Sequence, residues 1–310
     1  AGAVPLSMSQ WRNRLDELCL KAVSSGQILI AVDALDQLQG GEIRDLLQFL
    51  PSVRPQGLHL FLTCLEDYAL PGSLTPVSMP RMDEVQRHMV IKGILAAIGK
   101  ELTAPVTEAL IRKNPDSTPL YLYLAVSRLT LMNAADFQNI RNRGDGIEGI
   151  TARQLELVED MPEGLEEMCA ALVEAVGERI NPSMCQRAVS YLALSRLGLR
   201  LTDLESLLET EQITFQTLEF AQFVNYMNEL FLLRADGRYD FLHKSLRQGL
   251  LRHMTATGMN LTEGHEKIVS HLESLPDDDI IQIQEITWES MQADDPYSFY
   301  HWLSHIWSCT

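Results

Sequence analysis

Ile28-Leu29-Ile30-Ala31-Val32-Asp33-Ala34-Leu35-Asp36-Gln37-Leu38 is the stretch on which the reading of this chain turns. Five apolar residues in succession, without alternation, predict a strand buried on both faces of a parallel sheet. The run closes on an acid. Upstream, Trp11, Leu15, Leu18 and Ala22 recur at helical spacing and predict an amphipathic helix. Downstream, residues 42–50 predict a second helix stopped by Pro51, and Leu58-His59-Leu60-Phe61-Leu62 predicts a second buried strand that runs into Thr63 and Cys64. Helix, strand, helix, strand in this order implies parallel pairing through right-handed crossovers. Two strands do not make a stable sheet alone, so further strands are expected before Ala1.

Beyond Met82 the strand signal fades. Val85, Met89, Ile91, Ile94, Leu95 and Ile98 predict one long helix, and residues 106–113 and 118–130 predict two more. Gly, Asn and Asp crowd residues 141–149, where a boundary is expected. An acidic helix pair follows over 152–176. Helices over 184–194, 202–208 and 215–229 then lead into two short apolar runs, 230–233 and 239–242, flanking Ala235-Asp236-Gly237-Arg238. Asp-Gly between apolar runs is a hairpin turn signal. Three helices followed by a hairpin is the layout of a winged helix. Asn181-Pro182 and Leu201-Thr202-Asp203 supply helix starts. From Met254 to Thr310 the pattern is helical and ends rich in aromatics (Trp288, Tyr297, Phe299, Tyr300, Trp302), as at the entry to a repeat array.

The expected fold is therefore mostly α with an N-terminal α/β part. Its four segments are a partial P-loop NTPase sheet (1–80), a small helical domain (81–149), linker helices with a winged helix (150–254) and a C-terminal helical region (255–310). With 310 residues and a net charge of −17, the chain is long enough for two or three domains and too acidic for a general role on nucleic acid or anionic lipid. No apolar run reaches the ~18 residues of a membrane span, and residues 1–9 lack the basic and apolar regions of a secretion signal. Cys19, Cys64, Cys169, Cys185 and Cys309 form no CxxC pair, which fits reduced, buried thiols in a cytoplasmic protein. His265 and His271 stand six apart and share no helical metal face. Asp277-Asp278-Asp279 reads as a solvated loop. There is no GxSxG and no HExxH.

An apolar strand ending in an acid, Asp33, is the Walker B arrangement, in which the carboxylate holds Mg²⁺ through water beside a nucleotide; an Asp at a strand end is equally at home as a helix cap. The second strand ends on Thr63, a hydroxyl at the equivalent edge, and ligands of open α/β sheets bind at the carboxyl ends of strands.

These strand endings and the domain order resemble the STAND-class signalling NTPases, the class of NACHT and apoptotic-ATPase proteins, and in particular their nephrocystin-type and telomerase-associated-protein-type members. The resemblance implies that Asp33 is the Mg²⁺-associated acid, that Asp36 is the first acid of the second acidic pair, and that Thr63 is the sensor-1 residue. It implies further that Pro119, in Ser117-Thr118-Pro119-Leu120, packs on adenine and that His243, in Phe241-Leu242-His243-Lys244, touches the β-phosphate of ADP. Departures from the pattern are Gln37 where a Glu often acts on the attacking water, Leu65 where an Arg is common, and Ser117 where a Gly is usual. No GxxxxGK[ST] loop occurs in the 310 residues. The family therefore implies ATP/ADP and Mg²⁺ in a longer protein, a weak ATPase at most, and no nucleotide held by this chain alone.

The leading functional expectation is a regulatory nucleotide switch whose partners are other protein chains, through self-oligomerisation and a sensor or effector. A nucleotide-independent helical interaction scaffold is the alternative. A DNA-binding regulator is disfavoured because residues 214–233, the third helix and its flanks, contain no Lys or Arg.

Overall fold

The computed structural model describes residues 7–35, 46, 50, 55–64, 75–132, 134–142, 146–228 and 230–308. The chain is mostly helical, with fourteen helices, a two-stranded parallel sheet and a two-stranded hairpin among the described residues. It divides into two compact units, Ala1–Pro80 and Arg81–Thr310.

In the first unit, α1 (Met8–Val23) opens on a capping box, in which Ser7 and Gln10 each satisfy the other's backbone N–H. β1 (Ile28–Val32) and β2 (Leu58–Leu62) pair in parallel, Ile28 opposite Leu58 and Val32 opposite Leu62. The strands and their parallel sense agree with the apolar runs. Their burial does not: both alternate, and Leu29 and Phe61 on one face are 66% and 58% exposed. A continuous apolar run marks a strand whose two faces are both apolar, and here only one of those faces is covered. The helix expected over 42–50 lies largely outside the described residues.

In the second unit the expected helices are present, joined by one over Ala134–Asn142 that the sequence did not predict, and the helix expected from residue 152 begins earlier, at Gly146, inside the expected boundary. In chain order these helices are α2 (Glu84–Ala97), α3 (Ala104–Lys113), α4 (Pro119–Thr130), α5 (Ala134–Asn142), α6 (Gly146–Glu159), α7 (Leu165–Ile180), α8 (Pro182–Leu194), α9 (Leu201–Thr210) and α10 (Thr217–Tyr226). Their starts follow the cap residues. Asp83, Thr118 and Asn181 each accept a bond from a first-turn N–H, and Pro119 and Pro182 sit at the first helical position, where no donor is lost. β3 (Phe231–Leu233) and β4 (Tyr239–Phe241) form the antiparallel hairpin, with Gly237 at φ +83° in its turn. Tyr239 also pairs with Leu199, just before α9, through two backbone hydrogen bonds of 2.8 and 3.1 Å. Phe220 and Phe223 of α10 pack on Tyr239 and Phe231, with ring centres 5.4 and 6.0 Å apart. α11 (Lys244–Ala256), α12 (Leu261–Glu273), α13 (Ile280–Gln292) and α14 (Pro296–Ser308) complete the unit. One hydrophobic core runs through it from Ile91 to Trp302.

Candidate functional site

The parallel register carries β1 and β2 to the same level, so the residue after each strand, Asp33 and Thr63, stands at a common carboxyl edge. Thr63 ties that edge together. Its N–H donates to the Val32 carbonyl (3.0 Å), and its carbonyl accepts from Leu35 N–H (2.9 Å). Its Oγ1 donates to Asp33 Oδ1 and accepts from Ala34 N–H (2.8 Å). The chain can turn back to make these bonds because Ala34 adopts φ +56° and Leu35, 1% exposed, anchors the turn. Asp33 itself is exposed. An exposed carboxylate oriented by a hydroxyl, at the carboxyl end of two parallel strands, is chemically suited to a hydrated divalent cation. Among the described residues no group of three metal-ligating side chains gathers anywhere. Asp36, Gln37 and Leu65 lie outside the described residues.

Thr63→Val keeps the shape and deletes the hydroxyl. It is expected to destabilise the first unit by about 1–2 kcal/mol, because Asp33 loses a donor and Ala34 N–H an acceptor. Thr63→Ser should recover most of the loss in a urea titration followed by hydrogen exchange of β1; an unchanged midpoint for the Val variant would contradict the geometry.

Pro119 and His243 belong to the second unit. Pro119 is exposed at the start of α4, where Thr118 Oγ1 accepts from Tyr121 N–H (3.2 Å). Its place there follows from helix-start chemistry alone. His243 follows the hairpin and is the residue from which α11 departs. Its carbonyl accepts from Leu246 N–H (3.1 Å), but its half-buried ring makes no capping bond.

The cysteines are free where described, with Cys19, Cys169 and Cys185 buried. Burial pushes the Cys169 and Cys185 thiols up to about 12 and about 11, so neither is a nucleophile at neutral pH. Cys309 lies outside the described residues.

Sequence reasoning missed the buried ionic pairing of the second unit, having taken Asp203 only as part of a helix start and Asp279 as part of a solvated loop. Asp203, 1% exposed, accepts from Arg200 through Nε and Nη2 (both 2.9 Å) and from His271 Nε2 (3.0 Å), and Arg200 continues to Asp279 (2.9 Å). Asp279 therefore caps α13 and pairs with Arg200, while Asp277 and Asp278 are exposed as expected. Burial alone would raise the Asp203 carboxyl, but the His271 and Arg200 hydrogen bonds hold it down to about 2. Glu211 gathers Arg187, Tyr191 and Lys267 from α8 and α12, and those three hold its carboxyl below the usual range against the opposing effect of burial. Glu285 and Glu289 of α13 are almost wholly buried, 1% and 0% exposed. The available signal was two acids at core spacing: Glu285 and Glu289 continue the buried face of Ile281 at four-residue steps.

Compared with known protein families, with characterised proteins and with solved structures, the chain finds no match. No helix among the described residues is long and apolar enough to cross a membrane.

Proposed function

We propose that this chain is the regulatory ATP/ADP-switch part of a STAND-type signalling protein, acting in the cytoplasm through self-association and a sensor or effector chain. The observation that carries the reading is the Asp33–Thr63 pair at the carboxyl ends of adjacent parallel strands, where open α/β sheets bind their ligands. In this reading the first unit is part of a P-loop NTPase sheet. Asp33 orients Mg²⁺ through water, Asp36 has the role of the second acid that the resemblance implies, and Thr63 reports on the terminal phosphate. A bound Mg²⁺–nucleotide supplies the charge that distinguishes the two states. The winged-helix reading of α8–α10 with the β3–β4 hairpin gains support from the Leu199–Tyr239 bridge, which adds a short third strand to the hairpin. The resemblance assigns Pro119 to adenine and His243 to the β-phosphate.

The decisive experiment is mass analysis of nucleotide released from a longer form of the protein that carries the residues preceding Ala1. ADP or ATP at near-stoichiometric yield is expected, and its absence would leave the helical-scaffold reading. The 310-residue chain itself is expected to show no low-micromolar ADP binding by calorimetry with Mg²⁺. In the longer form, His243→Ala should weaken ADP binding by about ten- to a hundredfold, the loss of one charge-assisted bond of about 1.5–3 kcal/mol. It should also raise the oligomer fraction in size-exclusion chromatography. Since the ring makes no capping bond, the melting temperature of the 310-residue variant should not move; a destabilised monomer with unchanged ADP affinity would remove His243 from the switch.

A further inference from the structure

We propose that the packing of α12 and α13 against the hairpin, α11 and the α8–α9 connection is a proton-operated latch: the buried Glu285–Glu289–His265 cluster holds a proton that the separated chain gives up, so the seam is tight at mildly acidic pH and loosens as pH rises.

The geometry is that of too many acids in too little water. Glu285 and Glu289 lie one turn apart on the buried face of α13. Glu289 Oε2 is 2.6 Å from His265 Nδ1 on α12. Glu289 Oε1 is buried without a hydrogen-bond partner; both Glu285 oxygens are buried with none in good geometry, although the backbone N–H groups of Arg196 and Leu197 lie near enough to favour the Glu285 anion. The cations that face the two carboxylates spend most of their donors on other groups, although Arg238 Nη1 and Arg247 Nε are themselves buried without a partner. Arg247 of α11 bonds Asp240 and the Arg196 carbonyl, and Arg238 of the hairpin bonds Asp236 and Gln284. Arg196, from the α8–α9 connection, approaches Glu285 only to 3.6 Å and is 41% exposed. Arg234 pairs with Asp240. The titratable groups described on α14 (Tyr297, Tyr300 and His301) are exposed. On α9, Asp203 is satisfied by Arg200 and His271.

Two carboxylates cannot both stay ionised at such burial, so the closed seam keeps a proton and Glu289 donates it to His265. Burial, reinforced by the Glu285 charge, drives the Glu289 carboxyl well above its ordinary range against the pull of Arg196 and Arg247; burial also raises Glu285. Burial alone lowers His265 to about 4. The signs then follow. Above about pH 6.5 an opened seam has ionised carboxylates and a neutral imidazole, whereas the closed seam retains its proton, so rising pH favours opening about tenfold per pH unit. Between about pH 4.5 and 6.5 the opened His265 takes up a proton that the closed one refuses, which offsets the effect of Glu289 and flattens the curve.

The test is amide hydrogen exchange of the full 310-residue chain from pH 6 to pH 9, corrected for intrinsic rates. In the wild type, protection of α12 and α13 should fall about tenfold per pH unit above pH 6.5 while α4 keeps its protection. Glu289→Gln preserves the shape and donor of the neutral acid. It should flatten that slope and raise protection at pH 8.5; an unchanged slope, lower protection or failure to fold overturns the proposal, because each means Glu289 acts as an anion. Glu285→Gln, which leaves the His265 bond in place, should likewise raise protection at pH 8.5, and a loss there would count equally against the latch.

Discussion

Gly198→Ala is expected to cost the second unit about 2–5 kcal/mol, combining the left-handed backbone penalty with an unrelieved clash. Gly198 adopts φ +84°, and a Cβ there would lie 2.2 Å from the carbonyl oxygen of Tyr239 and 2.9 Å from its carbon. Those atoms are backbone and cannot rotate away. The oxygen is also the acceptor of Leu199 N–H, so the methyl group would separate the α8–α9 connection from the hairpin it is bonded to. Gly237→Ala is the control. Gly237 has nearly the same φ, +83°, with nothing within 4 Å of the added carbon, so only the backbone penalty of about 1–2 kcal/mol applies. Urea midpoints of the two variants should differ clearly, and equal midpoints would show that the close approach carries no cost.

Asp203→Ala should be as damaging, about 3–5 kcal/mol, because it strands the imidazole of His271, 9% exposed, and removes the principal partner of Arg200. The pH dependence identifies the cause. The folded Asp203 carboxyl is held down to about 2, below its unfolded value of about 4, so its contribution is complete above pH 4 and disappears as pH falls toward 2. Stability curves of wild type and variant should therefore stand apart at pH 6 and draw closer by about 2 kcal/mol in acid. Parallel curves down to pH 2 would assign the loss to packing instead of charge.

The two predictions rest on features that differ in how openly the sequence displays them. Helix starts were legible because caps act locally: Asn181 precedes Pro182, and Asn181 Oδ1 accepts from Met184 N–H at 3.2 Å. The hairpin was legible for the same reason, since Asp236-Gly237 needs only its own backbone to turn. At the candidate site, the strand endings pointed to Asp33 and Thr63, and the bond between them required only the parallel register that the order of elements implies. Burial of the sheet was not legible, because an apolar run records what two faces can tolerate and not what covers them, and Leu29 and Phe61 remain exposed. The ionic seams were hidden by distance along the chain. Arg200 meets Asp279 seventy-nine residues on, and Asp203 meets His271 after sixty-eight. His265 and His271, which stand six apart in the sequence, each face a carboxylate that no local pattern announces.

Gln284 is gripped twice. Arg238, from the hairpin turn and 3% exposed, takes its side-chain oxygen at 3.1 Å, and Arg196 takes its backbone carbonyl at 2.7 Å. A hairpin joined to its body only by its own two strands would flap like a hinged tab. This one is bolted at its tip to the middle of α13, so it behaves as a crank: a tilt of α13 is delivered to the turn without slack, and a load applied to the turn arrives on the helix one residue from Glu285.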